Sequence, residues 1–239
     1  ASGFAYGGLG PLSGAGIPGP TFPVAIEGMN IHRQLSDVLL EETGINTGYR
    51  LRPSLSLFFT DKEIEESMRD LSWKQQQPGY NVRLVDVGEA HSIDDRISAE
   101  IVGGLYVEGN AEVDPYKFVL AMAQAAENLG ATIRHGRVTG LKSKGRVIEQ
   151  VVLENDLIQC EHTVLAMGPW SSEASNWLGR PIHVSPLKGQ ILRLMAQGPP
   201  LQISLGWGGN YATTKPDGLL WTGTTEEDVG FDERPTPLA

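Results

Sequence analysis

Residues 163–172 constrain the fold of this chain more than any other stretch. They read Thr-Val-Leu-Ala-Met-Gly-Pro-Trp-Ser-Ser. A short apolar run ends in a small residue, a glycine and a Pro-Trp-Ser turn. An apolar run of this length bounded by Gly and Pro suits a strand buried in a parallel sheet, so a strand is expected at 162–166. Gly168 would let backbone approach a ligand closely at the carboxyl end of that strand, where open α/β sheets hold their ligands. A plain core strand and turn would use the same residues, so the neighbouring segments have to decide between the two.

Composition narrows the classes. A chain of 239 residues suffices for one large domain or two modest ones. With 40% hydrophobic and 20% charged residues it has the balance of a globular protein. A net charge of −10, with scattered Lys and Arg, excludes a nucleic-acid role driven by phosphate neutralisation. No apolar run reaches the roughly 18 residues that span a bilayer, and residues 1–20 lack the basic region of a signal peptide. Cys160 is the single cysteine; it reads as a small apolar filler in a reducing, cytoplasmic setting. The five histidines show no metal-ligand spacing, so no metal is expected.

Periodicity places the elements. Helices are expected over 24–44, from Asp61 as N-cap to about 77, at 86–91, from Asp114-Pro115 to Gly130, and over 171–178. In the helix after Asp114 the apolar stripe is Phe118, Val119, Met122, Ala125, Ala126 and Leu129. Strands are expected at 55–60, 82–85, 104–108, 132–135, 138–141, 147–154 and 157–160, with a turn over 142–146. Short runs at 182–184, 190–195, 203–205, 211–214 and 219–223 suggest an antiparallel sheet, with Asp217-Gly218 as a hairpin turn. The class is mixed α/β. Gly14-Ala15-Gly16-Ile17-Pro18-Gly19 matches G-x-G-x-x-G in letters only: no convincing strand precedes it, and Pro18, Pro20 and Pro23 oppose an immediate helix.

Six segments, in order, carry a resemblance: Ala1-Ser2-Gly3 with Gly7-Gly8-Leu9; the helix opened by Asp114-Pro115; Gly136-Arg137-Val138 with Gly145-Arg146-Val147; 163–172; Pro186-Leu187-Lys188-Gly189-Gln190; and 223–232. Together they resemble the FAD-dependent amine and amino-acid oxidoreductases of the D-amino-acid oxidase superfamily, and glycine-oxidase-like members in particular. The resemblance implies a partial FAD-binding Rossmann-like domain (1–23 and 105–180) and an antiparallel-sheet substrate domain (24–104 and 181–239). It also implies an internal fragment. The family's strand, G-x-G-x-x-G turn and helix would lie before Ala1, and its substrate-carboxylate arginine beyond Ala239.

The same resemblance implies the roles. Ala1, Ser2, Gly7 and Gly8 would pass along the flavin. Val138 would meet the adenine through its backbone. Ala166, Met167 and Gly168 would line the dinucleotide, with Trp170 at its edge. Lys188, Gly189 and Gln190 would form a turn back towards the ring. Tyr211 would contact a substrate carboxylate or simply pack, and Glu226 would tie down a strand-end turn. The implied reaction is oxidative deamination of a small amine or amino acid, with oxygen or another electron acceptor as partner. A non-catalytic fragment that binds no cofactor, or the same fold acting on glycerol phosphate or a hydroxy acid, are the alternatives. The oligomeric state is left open, a homo-oligomer included.

Overall fold

The computed structural model describes residues 2–237. Ala1, assigned above to the flavin loop, lies outside the described residues. In chain order the elements are β1 (Gly8–Leu9), α1 (Phe22–Thr43), β2 (Arg50–Leu51), β3 (Ser54–Phe58), α2 (Asp61–Gln75), β4 (Asn81–Val85), α3 (Val87–Ile93), β5 (Gly103–Glu108), β6 (Ala111–Glu112) and α4 (Pro115–Asn128). There follow β7 (Val138–Lys144), β8 (Val147–Leu153), β9 (Leu157–Gln159), α5 (Ala174–Leu178), β10 (Ile191–Leu194), β11 (Ser204–Trp207), β12 (Asn210–Thr214) and β13 (Leu220–Gly223). Two 3₁₀ helices cover Ser2–Phe4 and Gly168–Glu173.

Local chemistry accounts for the helix starts. Thr60 accepts from the Glu63 amide, while the Glu63 carboxylate accepts from the Thr60 amide at 2.9 Å. This reciprocal pair satisfies two orphan donors, so the N-cap is Thr60 and not Asp61, and a full capping box is present. Asp114 accepts from the amides of Tyr116 and Lys117 ahead of Pro115, as expected from the sequence. The apolar stripe of α4 differs from expectation. Val119, Met122 and Leu129 are exposed, and the buried face is Pro115, Ala121 and Ala125. The alanines let α4 approach α1 closely, and they pack with Leu39, Leu35 and Phe118.

The chain divides into two compact units, Ala1–Ala131 with Ile191–Thr224, and Thr132–Gln190 with Thr225–Ala239. The first unit is built on a seven-stranded sheet of order β10-β13-β12-β11-β3-β5-β4, in which only β11 and β3 run parallel. A small antiparallel sheet, β1-β6-β2, accompanies it. In β3, Ser54, Ser56 and Phe58 alternate with Leu55 and Leu57, so the two faces differ in character. Leu55 and Leu57 join Val85, Ala90, Ile97, Ile101 and Ile203 in one core. Phe58 joins Leu105, Val107, Val82 and Leu12 in a second, against which Ile64 and Leu71 of α2 pack.

The second unit carries the meander β7-β8-β9. Lys144 pairs with Val147, so β7 runs further than expected and the turn shrinks to Gly145-Arg146, with Gly145 at φ 64°. Three expected strands are absent. Residues 132–135, 162–166 and 182–184 form no ladder among the described residues. The failure at 162–166 has a clear cause. A buried parallel strand needs neighbours to take its amides and carbonyls, and none pairs with it here. The segment is irregular and open, and Val164 is 88% exposed.

Candidate functional site

Register builds a hollow on one face of the seven-stranded sheet. Ser54 of β3 pairs with Ser204 of β11, and Ser56 with Gly206. Gly206 in turn pairs with Tyr211 of β12, and Ser204 donates to Thr213 at 3.2 Å. Two rows of small side chains therefore cross the middle of the sheet, bounded by Leu105 and Val107 of β5 on one side. Small residues leave volume that larger ones would fill. The result is a cavity of about 270 Å³ lined by these serines, Gly206, Tyr211, Arg52, Asn110, Tyr6 and the loop from Gly8 to Ser13.

A buried charged cluster adjoins this hollow through Arg52, which lines it. Glu112, 1% exposed, lies on β6 opposite Arg50 of β2. Its carboxylate accepts from Arg50 Nε at 2.6 Å and pairs with Lys215 Nζ at 3.1 Å; Arg52 Nε stands 4.0 Å away. Arg52 Nη2 donates to the carbonyls of Leu201, at 2.6 Å, and Ile203, at 3.3 Å. Burial pushes Arg52 and Lys215 below their ordinary pKa values, and Glu112 opposes that shift in both. One carboxylate faces three cations, and Arg52 is the member of this cluster that lines the cavity. Arg52 Nε and Asn110 Oδ1, on residues that line the cavity, are buried without a hydrogen-bond partner. Such groups are expensive to leave unpaired.

Tyr6 and Tyr211 stack with ring centroids 3.9 Å apart, and Lys215 Nζ lies 5.0 Å over the Tyr6 ring. Tyr211 is 9% exposed and its hydroxyl is also buried without a partner. Burial, followed by the neighbouring Tyr6, pushes its pKa from 10.0 up to about 12. Burial raises Tyr6 as well. Between those values an unfolded chain loses a proton that the folded one keeps. Stability is therefore full below pH 10 and falls as pH climbs towards 12. Urea midpoints followed from about pH 9 to about pH 12 should show a loss of about 2–3 kcal/mol from Tyr211, and Tyr211→Phe should remove that share of the slope. An identical slope in the variant would contradict the assignment.

Sequence reasoning found Tyr211 here but missed Arg52, Glu112, Lys215 and Tyr6. The Ser-Leu-Ser-Leu alternation at 54–57 was a usable signal for a polar sheet face. Nothing local to Glu112 marks it as buried. Gly8 lies on β1 and lines the cavity, whereas Gly7 sits at φ 75°, where a β-carbon would collide with the Val113 carbonyl and the Pro115 ring, so only glycine fits. Ser2 opens the first 3₁₀ turn.

The remaining expected residues lie in the second unit. Val138 begins β7 and lines a separate cavity of about 280 Å³ with Arg137, Glu154, Asn176 and Trp177. Ala166, Met167 and Gly168 end the open segment. Gly168 has φ 55° and free space where a β-carbon would stand. Trp170 stacks on Phe231 at 5.5 Å. Lys188 is no solvated lysine: its ammonium stands 3.4 Å from Glu227 and donates to the Arg234 carbonyl at 2.8 Å. Gln190 donates to Glu227 at 2.5 Å and accepts from the Thr236 amide, with Gly189 exposed between Lys188 and Gln190. The strand-end turn expected of Glu226 is thus held by Glu227, one residue on, which also accepts from Thr225 at 2.7 Å. An exposed backbone ending in an unobstructed glycine, with a mixed polar and apolar cavity at Val138, fits a long, thin group bound through backbone contacts.

A family profile described as FAD dependent oxidoreductase matches residues 1–239. A glycine oxidase of Geobacillus kaustophilus is 28% identical over 240 residues, covering 98% of this chain and 62% of that one. A bifunctional protein ThiO/ThiG of Trichormus variabilis is 29% identical over 213 residues, covering 87% of this chain and 31% of its own length. The crystal structure of the Geobacillus kaustophilus glycine oxidase matches with a TM-score of 0.92 at 26% identity, over 99% of this chain and 64% of that one. Glycine oxidase from Bacillus cereus matches at a TM-score of 0.89 and 25% identity. The chain spans less than two thirds of each of these proteins. Among the described residues no helix is long and apolar enough to cross a membrane.

Proposed function

The chain belongs to the family of FAD-dependent oxidoreductases, and on that premise we propose that it carries the substrate pocket and part of the flavin site of an enzyme that oxidatively deaminates a small amine or amino acid. The observation that carries the proposal is the hollow lined by Arg52, Tyr211 and Asn110. Arg52, its charged lining side chain, suits a carboxylate, and the unpaired Tyr211 hydroxyl and Asn110 carbonyl suit a carboxylate oxygen and an ammonium respectively. Tyr211 and Arg52 orient the substrate by its carboxylate. The stacked Tyr6 and Tyr211 rings exclude water from that side. Tyr211 stays protonated throughout the physiological range, so it donates a hydrogen bond and is not a base. The substrate is oxidised at its carbon–nitrogen bond, and the imine product hydrolyses in water to a carbonyl compound and an amine.

FAD supplies the two-electron acceptor when bound. The residues proposed to hold it are Ser2, Gly7 and Gly8, with Val138, Ala166, Met167, Gly168, Trp170 and Lys188, Gly189 and Gln190; Ala1 belongs to the same set. Lys188 contributes there by fixing the 225–236 segment through Glu227. Oxygen or another acceptor takes the electrons onward. A reducing cytoplasmic setting, in which the half-buried Cys160 thiol stays free, is part of the same reading.

The test is direct. Protein carrying this chain should quench flavin fluorescence on titration with FAD, and glycine should bleach the bound flavin without oxygen. Tyr211→Phe should lower kcat/KM by roughly tenfold while the flavin spectrum is retained, the cost of about one hydrogen bond to a charged group. A preparation that FAD cannot reconstitute defeats the proposal.

A further inference from the structure

The hollow does not end at the Tyr211 row. A second cavity, of about 530 Å³, opens beside it under α2 and the β11–β12 hairpin, and the two share Ser56, Gly206 and Tyr211 as wall. Gly206 is the one shared residue without a side chain. Nothing in the backbone demands glycine there, since its φ lies outside the left-handed region. Nor does packing: a β-carbon at 206 would meet only the Asn210 carbonyl at 3.8 Å and the Ser56 hydroxyl at 3.9 Å, both ordinary contacts. Most glycines with an empty side-chain position in this chain have positive φ, and Gly7, which also has a positive φ, is forced by close approach. Gly206 has neither reason. What the missing side chain does is keep the wall that the two cavities share low between Ser56 and Tyr211.

The two ends of this groove differ in charge. Arg52 is the charged side chain that lines the first cavity. The second is lined by Glu63, Glu66 and Asp70 against a single Lys74, three carboxylates to one ammonium. A strand rises about 3.3 Å per residue, so the step from the Ser54–Ser204 pair, in the first cavity, to the Ser56–Gly206 pair, on the shared wall, is about 7 Å. A substituent of about five bonds on a substrate held beside Ser54 and Ser204 reaches across that wall. We infer that Gly206 sets the substrate class: this chain takes amino acids or N-substituted glycines whose substituent passes over Gly206, with a cationic end preferred to an anionic one. This rests on the substrate pocket proposed above.

Achiral probes test it without a question of handedness: glycine, N-butylglycine, N-(aminobutyl)glycine and N-(carboxypropyl)glycine. In Gly206→Leu, the ratio of kcat/KM for N-(aminobutyl)glycine to that for glycine should fall at least roughly tenfold, as expected when a pocket loses space for several methylenes. Gly206→Ala, the gentler variant, should give a smaller fall in the same direction. Binding gives a readout independent of turnover. Trp207 lines the second cavity, so N-(aminobutyl)glycine should alter its fluorescence, glycine should not, and Trp207→Phe should abolish the signal. An unchanged ratio in both Gly206 variants overturns the inference, and so does equal use of the cationic and anionic probes. If no probe reduces flavin, yet the Trp207 signal appears and Gly206→Leu removes it, the proposed activity fails while the groove assignment stands.

Discussion

Replacing Glu112 with glutamine should lower the unfolding free energy by about 3–5 kcal/mol, the range for removing one partner of a buried ion pair. The shape is kept, so packing does not explain the loss. Glu112 is 1% exposed and is the carboxylate nearest to Arg50, Arg52 and Lys215. Without it, the Lys215 ammonium retains the Val113 carbonyl, at 3.1 Å, and the Tyr6 and Trp221 rings, at 5.0 and 5.5 Å. Urea denaturation measures the effect. The double variant Glu112→Gln with Lys215→Met should be less destabilised than the sum of the singles, because the second change removes the charge that the first stranded. Additivity, or a loss below about 1 kcal/mol for the single variant, would show that the charges are hydrated and the cluster is not as described.

Leu55→Ala should cost about 2–5 kcal/mol by the same measurement. Leu55 is fully buried on an interior strand of the large sheet, between β11 and β5, and packs in the core formed with Leu57, Val85, Ala90, Ile97, Ile101 and Ile203. Backbone on both sides is held by ladders, so the site cannot collapse to fill the lost volume. The change is on the face away from Ser54 and Ser56 and should leave substrate preference alone. A loss under about 1 kcal/mol would mean that the core around β3 relaxes freely.

Much of this architecture could be read in the sequence because the signals are local. Asp114-Pro115 chose a helix start by supplying an acceptor and a pre-set φ within three residues. Gly44 closed α1 by adopting φ 70°. Asp217-Gly218 turned the β12–β13 hairpin, with Gly218 at φ 82° and Asp217 accepting from the Leu219 amide. The ordered motifs that resembled a flavin-dependent family did so through short runs of small residues, and the family match over the whole chain agrees.

Where partners lie far apart in sequence, local reading failed. Residues 162–166 have the composition of a buried strand, but burial depends on neighbours that no local pattern supplies, and the segment stands open. Glu112, Arg52 and Lys215 are scattered over more than 160 positions and look like solvated charges until β6, β2 and the end of β12 bring them within about 4 Å. Gly206 reads as one more turn glycine; only the register of β3, β11 and β12 sets it between Ser56 and Tyr211. Propensity, capping and turn chemistry act over a few residues, and the sequence alone determined the elements they control. Charge burial and cavity shape depend on which strands lie side by side, and the tertiary structure alone decided those.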